Sequence, residues 1–275
     1  MGGPPRPAFQ APRGIQTRDQ LKAHVLEHGP AGHERNLEIY REWFAQAPRY
    51  LFRAVDQRYQ FTRGTVCDAG ASFGENLVFC HPDSYGIEVR DDRASFARAI
   101  GLQCYTRDLI SDDLSDLPKV QAVWCSAVLE HVLSPHLFLR KLYGLLAEDG
   151  LLLLYVPTVP LLPSLARLPR FGKYFKGSRA ADHINFFTPA TLRWTCERSG
   201  FKTRELSAFY PSPLGVLNAL PVARRLLDGC VYVGTKIEGW DYPRNANRRV
   251  ANNRDGFVPK KAHSAPGDDD EEFVR

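Results

Sequence analysis

A seven-residue stretch, Asp68-Ala69-Gly70-Ala71-Ser72-Phe73-Gly74, carries an acid and two glycines directly after an apolar run at Thr65–Cys67. Glycine lacks a Cβ, so it accepts a positive φ and lets the backbone approach a ligand closely. A strand that turns sharply into a helix beneath such a loop is how α/β sheets hold nucleotide-like ligands. We therefore predict this arrangement here, with the apolar Leu77–Phe79 opening the helix. The predicted ligand contacts are Asp68, Gly70, Ala71, Ser72 and Gly74.

Acidic and polar residues follow the next three predicted strands. Glu88 ends the second strand, about twenty residues after the loop, where a carboxylate can accept both hydrogen bonds of a ribose diol. Asp108 and Leu109 follow the third strand, and the Asp108 carboxylate could accept from an adenine amino group. Ser126 closes the fourth strand. Ligands of open α/β sheets bind outside the carboxyl ends of the strands, so these residues are predicted to converge.

Each of these assignments has a structural alternative. The two glycines could serve only tight packing between strand and helix, and Glu88 could be a solvated charge. Asp108 competes with the nearby acids Asp112, Asp113 and Asp116. The loop also differs from the GxGxxG dinucleotide fingerprint, because position 72 is serine and the glycines stand at 70 and 74.

Two histidines are the sharpest candidates for proton transfer. His131 follows the fourth strand, directly after Glu130, and His183 stands where a long insertion returns to the fold. A histidine with a pKa near about 6.5 is suited to take a proton from a hydroxyl group at neutral pH. The alternative is a hydrogen-bonded structural role. We take Glu130, His131 and His183 as the candidate catalytic residues.

Apolar runs and helical patterns alternate over most of the chain, with short connections. This alternation predicts an α/β fold, a doubly wound Rossmann-like sheet that is mostly parallel and has right-handed crossovers. The clearest helical pattern is Pro135–Ala147, with Ser134 as its N-cap and Gly150 as its stop. The predicted strands are Thr65–Cys67, Tyr85–Val89, Gln103–Tyr105, Val120–Cys125, Leu151–Val156, Phe201–Phe209 and Val231–Ile237.

The two ends of the chain differ from this middle part. Residues 1–16 are rich in proline and glycine and are predicted to be disordered, as is the polar tail 241–275. Residues 17–63 show three helical patterns, the first opened by a capping box at Thr17. These N-terminal helices are predicted either to lie over the ligand cleft or simply to pack against the sheet.

A long insertion after the fifth strand, residues 157–187, interrupts the alternation. Its first part carries five basic residues, seven large apolar or aromatic residues and no acid up to Ala181. Loops of this length in compact domains are usually functional, so we predict a substrate lid over an anionic acceptor. Two alternatives are peripheral contact with an anionic lipid surface through residues 157–181 and an ordinary solvated face.

Taken together and in order, these stretches resemble the class I S-adenosylmethionine-dependent methyltransferases, over roughly Gly64 to Gly200. The resemblance implies a seven-stranded sheet with an antiparallel last strand, a methyltransferase domain over residues 64–240, and S-adenosylmethionine as cofactor. It implies that Glu88 holds the ribose, and Asp108 with Leu109 the adenine. The stretches that carry it are the loop Asp68–Gly74, Glu88, Asp108, Val123–Val132 (with Leu129-Glu130-His131), Leu145–Leu153, and His183–Thr188 followed by Leu192 and Ser199–Phe201.

Two groups of relatives, the ubiquinone-pathway O-methyltransferases and the small-RNA 2′-O-methyltransferases, carry a metal-binding E-x-x-E-H motif completed by a later histidine. In this chain Glu130, His131 and His183 match the later positions, but Ala127 replaces the first acid. Losing one hard oxygen ligand weakens Mg²⁺ binding. We therefore predict no metal.

The predicted function is methyl transfer from S-adenosylmethionine, with a hydroxyl of a small or lipid-linked, anionic acceptor as the favoured target. One alternative is an NAD-type oxidoreductase that uses the same loop and acid. Another is a non-catalytic module that binds S-adenosylmethionine. The sequence leaves the acceptor and the oligomeric state open.

The composition and charge of the chain bear on its cellular compartment and its binding partners. The chain has 275 residues and a net charge of +5, and it ends in the acidic run Asp268–Glu272. It shows no RNA-binding module, and the acidic end weakens the case for nucleic acid. Six scattered cysteines without a CxxC pair fit a reducing compartment. Without a run of about 20 apolar residues or a signal peptide, we expect a cytoplasmic protein.

Overall fold

The computed structural model of the protein describes residues 17–29, 32–33, 37–159, 182–208 and 229–241. The disorder predicted for residues 1–16 and for the tail beyond residue 241 concerns residues outside these ranges. The basic part of the predicted lid, residues 160–181, also lies outside them. No helix within the described ranges is long and apolar enough to cross a membrane.

The described part of the chain forms one seven-stranded sheet, in the order β3-β2-β1-β4-β5-β7-β6. The first five strands are mutually parallel, and β7 runs antiparallel to both β5 and β6. The predicted fold class and the antiparallel last strand are therefore confirmed. The strands are β1 Val66–Ala69, β2 Tyr85–Glu88, β3 Cys104–Thr106, β4 Val120–Ser126, β5 Leu146–Pro157, β6 Phe201–Ala208 and β7 Gly229–Lys236.

Six α-helices accompany the sheet in the described ranges, and local capping starts three of them. Thr17 forms the predicted capping box, Ser134 accepts from the Leu137 amide, and Thr188 caps the last helix. A capping side chain satisfies backbone N–H groups that the first turn leaves without a helical partner. The helices are α1 Arg18–His28, α2 Leu37–Ala45, α3 Tyr50–Tyr59, α4 Asp91–Ala99, α5 Pro135–Leu145 and α6 Pro189–Glu197.

The sheet buries an apolar layer on each face, as the alternation of side chains along a strand requires. Along β4, Val123 and Cys125 face the layer that α5 and α6 cover. Ala122 and Trp124 face the layer that the N-terminal helices and α4 cover. The Trp124 indole packs against the rings of Phe52 and Phe61, with ring centroids 5.3 and 5.8 Å away. The N-terminal helices therefore complete one half of the core.

The helix predicted directly after the glycine loop is absent, and that prediction was wrong. Only the three-residue 3₁₀ turn Leu77–Phe79 follows the loop. Positive φ angles at Gly70, Ser72 and Gly74 keep the loop out of the helical region. In place of a crossover helix, α1 packs against the 3₁₀ turn, and Arg18 donates to the Cys80 carbonyl at 2.6 Å.

The boundary between α5 and β5 also differs from the prediction. The helix ends at Leu145 instead of Ala147, and β5 begins at once with Leu146. Leu146 pairs with Val120, and the next register pair joins Leu151 to Ala122. The intervening residues form a bulge, in which Asp149 has a φ of 59°. Gly150 therefore stands inside a strand irregularity and does not stop the helix.

We predict that Gly74→Ala lowers the free energy of unfolding by about 1–3 kcal/mol. Gly74 has a φ of 80°, and an added Cβ would lie 2.5 Å from Cδ1 of Leu102. Gly144→Ala in α5 is the matched control, because an added Cβ there meets no atom within 4 Å. The control should be neutral or stabilising by up to about 1 kcal/mol. Urea denaturation of both variants measures the difference, and equal midpoints would contradict the strain at Gly74.

Candidate cofactor and acceptor site

A cavity of about 580 Å³ opens at the carboxyl ends of the parallel strands. Its size lies in the range of about 300–1,000 Å³ that small-molecule and cofactor sites occupy. Gly74 does not line the cavity. With its φ of 80°, it contributes to the conformation of the loop instead. The other predicted cofactor residues all line the cavity, namely Asp68, Gly70, Ala71, Ser72, Glu88, Asp108, Leu109 and Ser126.

The glycine loop is tied to β2 through its backbone. The amides of Gly70 and Ala71 both donate to the Ile87 carbonyl, at 2.9 and 3.1 Å. Gly70 has a φ of 85°, and a Cβ there would lie 2.5 Å from Cγ2 of Val128. Only glycine fits this close approach between the loop and the segment after β4. The loop backbone therefore forms one wall of the cavity.

Glu88 is held by backbone groups on both sides of its carboxylate. Its Oε2 accepts from the Ser72 amide and its Oε1 from the Arg90 amide, both at 2.9 Å. The side chain is buried, so Glu88 is not a solvated strand-end charge. Two fixed donors orient the carboxylate at the cavity wall, where it retains lone pairs for a diol.

Asp108 faces the cavity and its three acidic neighbours do not. Its Oδ1 accepts from the Ile110 amide at 2.8 Å, and this bond helps lower the pKa of Asp108, which keeps it charged. Asp112 accepts from the Asp108 amide, and Asp116 forms a bidentate pair with Arg107. Of the four neighbouring acids, the structure places Asp108 in the cavity wall.

Two further buried acids lie at the β1 end of the cavity. Burial and the nearby carboxylates of Glu75 and Glu88 raise the pKa of Asp68 well above its usual range. Burial also raises the pKa of Glu75, while Arg49 opposes this shift from a distance of 3.5 Å. A buried carboxylate without a full counter-charge favours a cationic ligand. This end of the cavity is suited to an ammonium group.

Glu130, His131 and His183 are brought together by the fold. Oε1 of Glu130 lies 3.7 Å from Nε2 of His131 and 3.9 Å from Nε2 of His183. The two imidazole rings meet edge to face, with centroids 4.8 Å apart. Of the three residues, His131 lines the cavity, and Glu130 is fully buried. The predicted catalytic set is therefore a real cluster at the cavity's edge.

The ionisation of this cluster follows from its burial. Burial raises the pKa of Glu130 to about 7, and neither carboxylate oxygen has a hydrogen-bond partner among the described residues. Burial and the neighbouring His131 lower the pKa of His183, so His183 is neutral at pH 7. Nδ1 of His131 lies 3.1 Å from the Asp182 carbonyl, which leaves its Nε2 toward Glu130. The cluster can accept a proton near neutral pH.

Both ends of the long insertion meet beside this cluster. Thr158 bridges to Phe187, and the Val159 amide donates to the Phe187 carbonyl at 2.7 Å. The amides of Ile184 and Asn185 donate to the Glu130 carbonyl at 3.0 and 2.9 Å. The returning segment therefore fixes the backbone of Glu130 directly. The predicted lid function concerns residues outside the described ranges and stays a prediction.

One ligand atom from each of Glu130, His131 and His183 falls within 4.8 Å of the others, a spacing that an ion could share. Ala127, which replaces the first acid of the metal-binding motif, has a φ of 55°. The methyl side chain of Ala127 offers no ligand atom to an ion. The prediction that no metal is used stays a prediction.

Several cavity residues were missed by sequence reasoning. Trp43 and Arg49 come from the N-terminal helical region, and Glu75, Asn76 and Arg93 flank the loop. The Arg49 guanidinium lies 4.4 Å from the centre of the Trp43 ring. In the sequence, the signal that could have identified Trp43 was its position outside the apolar stripe of α2. The N-terminal helices thus both pack against the sheet and lie over the cleft.

The sheet order, the loop after β1 and the acids after β2 and β3 around one cavity together define a class I S-adenosylmethionine-dependent methyltransferase. S-adenosylmethionine is the methyl donor of this class. The family described as "Methyltransferase domain" matches residues 17–206. The match covers more than half of the sequence, and the chain belongs to this family.

A curated relative is the ubiquinone biosynthesis O-methyltransferase of Glaesserella parasuis serovar 5 (strain SH0165), 28% identical over 122 residues. That alignment covers 40% of this chain and 50% of the relative, so the chain spans about half the length of the curated relative it matches.

Two similar solved structures have low sequence identity to this chain, so they support its fold and nothing more. A SAM-dependent methyltransferase from Archaeoglobus fulgidus is 21% identical, with 72% of this chain and 99% of that chain covered and a TM-score of 0.51. A TehB-like SAM-dependent methyltransferase from Corynebacterium glutamicum is 14% identical, with coverages of 74% and 97% and a TM-score of 0.50.

We predict that the affinity for S-adenosylmethionine falls on acidification. The raised pKa of Asp68 means that this carboxyl loses its charge at a higher pH than an ordinary aspartate does. Below that pKa it no longer attracts the cofactor's ammonium group, so binding weakens. Titration calorimetry from about pH 8 to about pH 5 measures this dependence. The Asp68→Asn variant should bind S-adenosylmethionine more weakly at the upper pH, and its affinity should depend less on pH. A wild-type affinity that stays constant over this range would contradict the role of Asp68 in binding the ammonium group.

Proposed function

We propose that the protein transfers a methyl group from S-adenosylmethionine to a hydroxyl of a small acceptor, whose proton is taken by the Glu130–His131–His183 cluster. One observation carries the proposal. His131 lines the same cavity as the cofactor residues and lies against a buried carboxylate with a pKa of about 7. A hydroxyl is a poor nucleophile until it loses its proton, and a base at this position supplies what the reaction needs.

The proposed cofactor placement follows the order of the strands. Adenine lies at Asp108 and Leu109 after β3, and the ribose diol lies at Glu88 after β2. The methionyl group lies over the loop after β1, between Asp68 and Ser126. The donors and acceptors in the wall fit this order, since Glu88 and Asp108 both present oriented carboxylates. His131, on the segment after β4, lines the same cavity and would contact the acceptor.

Bound S-adenosylmethionine supplies an electrophilic methyl group on a sulfonium, so the protein contributes alignment and proton handling. An imidazole nitrogen of the cluster would accept the proton that the acceptor's hydroxyl loses when it is methylated. The imidazolium so formed lies against Glu130, whose negative charge stabilises it in a buried setting. Asn185 and Ile184 hold the Glu130 backbone in place during this step.

The acceptor class is proposed from two sources. The curated relative is named as an O-methyltransferase, which favours a hydroxyl target. The basic and aromatic composition of residues 160–181 favours an anionic acceptor, either a small molecule or a lipid-linked one. Nucleic acid is not proposed.

We predict that His131→Ala or His183→Ala lowers turnover by at least about 100-fold while the affinity for S-adenosylmethionine stays within about twofold. His136→Ala is the matched control, because this exposed histidine of α5 does not line the cavity. Transfer of a labelled methyl group to a panel of hydroxylated metabolites measures turnover. Near-normal turnover in both cluster variants would show that alignment alone is the catalyst.

We predict that turnover rises with pH through an apparent pKa of about 7, as Glu130 gains its charge. Below this pKa Glu130 is neutral and cannot stabilise an imidazolium, so the rate falls. Glu130→Gln removes the charge at every pH, and its pH–rate profile should lose this limb and stay low. A Glu130→Gln enzyme that keeps the wild-type profile would assign the limb to another group.

Two outcomes would overturn the proposed function. Tight binding of S-adenosylmethionine with no methyl transfer across the panel would favour a non-catalytic module. Tight binding of NAD without binding of S-adenosylmethionine would favour an oxidoreductase. Turnover that is lost on chelation with EDTA and restored by Mg²⁺ or Mn²⁺ would overturn the prediction that no metal is used.

A further inference from the structure

The turn that follows β4, residues 127–132, carries Glu130 and His131, and few bonds within the turn hold it. The Ala127 amide donates to the Tyr155 carbonyl at 2.9 Å, which fixes the start of the turn to β5. The His131 amide donates to the Val128 carbonyl at 2.9 Å. Backbone carbonyl groups in folded proteins nearly always have a partner. The other carbonyl groups of the turn therefore need donors from elsewhere in the chain.

Asn185 supplies most of these donors. Its Nδ2 donates to the Val132 carbonyl at 2.6 Å and lies 3.5 Å from the carbonyls of Leu129 and Glu130. Its backbone amide also donates to the Glu130 carbonyl, at 2.9 Å. Within the described ranges, the Ile184 amide is the other donor to these three carbonyls. Asn185 therefore binds the turn through both its side chain and its backbone.

The three carbonyl oxygens determine which side chain suits position 185. The carboxamide of asparagine has two N–H donors, so it can bind several acceptors on one side. An ionised aspartate has the same size but only acceptors, and its oxygens would repel the carbonyl oxygens. An apolar side chain would leave the carbonyl groups without this donor, which is costly where water is excluded. The contacts therefore favour a donor over a side chain that only fills space.

The bonds of Asn185 also bear on the distances within the candidate catalytic cluster. Asn185 stands two residues after His183 on the returning segment, residues 182–187. Nε2 of His183 lies 3.9 Å from Oε1 of Glu130, and Nδ1 of His131 lies 3.1 Å from the Asp182 carbonyl. Both distances depend on how the returning segment lies against the turn. A displacement of about 1 Å in a catalytic group can cost about 100-fold in rate.

We propose that Asn185 is a positioning residue, whose side-chain amide fixes the turn that carries Glu130 and His131. The proposal rests on the proposed function of the cluster in proton transfer. Asn185 does not line the cavity, so it acts through the residues that it holds. It joins the turn to the returning segment, and so it sets both histidines against the Glu130 carboxylate.

The test measures kcat separately from cofactor affinity in variants of Asn185. Asn185→Ala should lower kcat for methyl transfer by about 10- to 100-fold, while calorimetry shows an affinity for S-adenosylmethionine within about twofold of wild type. Asn185→Asp should be at least as slow, although the side chain keeps its size. Asn185→Gln keeps the donor one methylene farther out and should recover part of the rate. Phe186→Ala is the matched control, because this exposed side chain of the returning segment should leave kcat within about twofold.

A second readout follows the turn itself and needs no acceptor. Hydrogen exchange of the backbone amides in residues 128–132 should be at least about tenfold faster in Asn185→Ala than in wild type, because the turn loses a donor that holds it. Phe186→Ala should leave the exchange rates unchanged. Unchanged exchange in Asn185→Ala would overturn the inference.

The remaining outcomes separate this inference from the proposed function. Near-wild-type kcat in both Asn185→Ala and Asn185→Asp would overturn the inference. Full activity of Asn185→Asp alone would assign the role to packing, and a loss of cofactor affinity as large as the loss of kcat would assign it to general stability, so both would overturn it. If Asn185→Ala does not fold, as judged by circular dichroism, Asn185→Asp and Asn185→Gln carry the same comparison. A wild-type protein without methyl transfer, or full turnover in His131→Ala and His183→Ala, would instead overturn the proposed function.

Discussion

The carboxylate of Glu88 is the contact on which the rest of the site depends. It accepts one hydrogen bond from the loop after β1 and one from Arg90, the second residue after β2, and so joins the two connections. The same loop donates two amides to the Ile87 carbonyl. These bonds hold a backbone with three positive φ angles in a single conformation. Without them, a loop with no helix behind it would have little to keep it in place.

Charge is the second constraint on this cavity. Asp68 and Glu75 are buried with raised pKa values, and Arg49 lies 3.5 Å from Glu75. Buried charge without a partner is costly, and ionisable groups with strongly shifted pKa values cluster at functional sites. A ligand with an ammonium group would supply a positive charge beside Asp68. At the other edge of the cavity, the Glu130 carboxylate lies beside two imidazoles, and this cluster can accept a proton.

Much of the fold could be read from local patterns. Seven strands and the capped helices follow from apolar periodicity and from Thr17, Ser134 and Thr188, because these signals act within a few residues. The helix expected after the loop was wrong, because packing by α1 replaced it. The spacing of the glycines suggested that Gly74 contacts the ligand. In the structure, the position that a Cβ of residue 74 would occupy is taken by the Leu102 side chain. Spacing along the chain does not reveal which neighbour a residue meets.

The sequence by itself determined the family, the sheet and the acids that end β2 and β3. The reason is geometric, since parallel strands bring their carboxyl ends to one edge whatever the details of packing. Only the tertiary structure decided that Trp43 lines the cavity and that Arg93 stands between two aromatic rings. Each of these contacts joins residues far apart in the chain, and such contacts depend on how whole elements pack. In the proposed placement the glycine loop holds the methyl donor, and the packing around the loop supplies the charges.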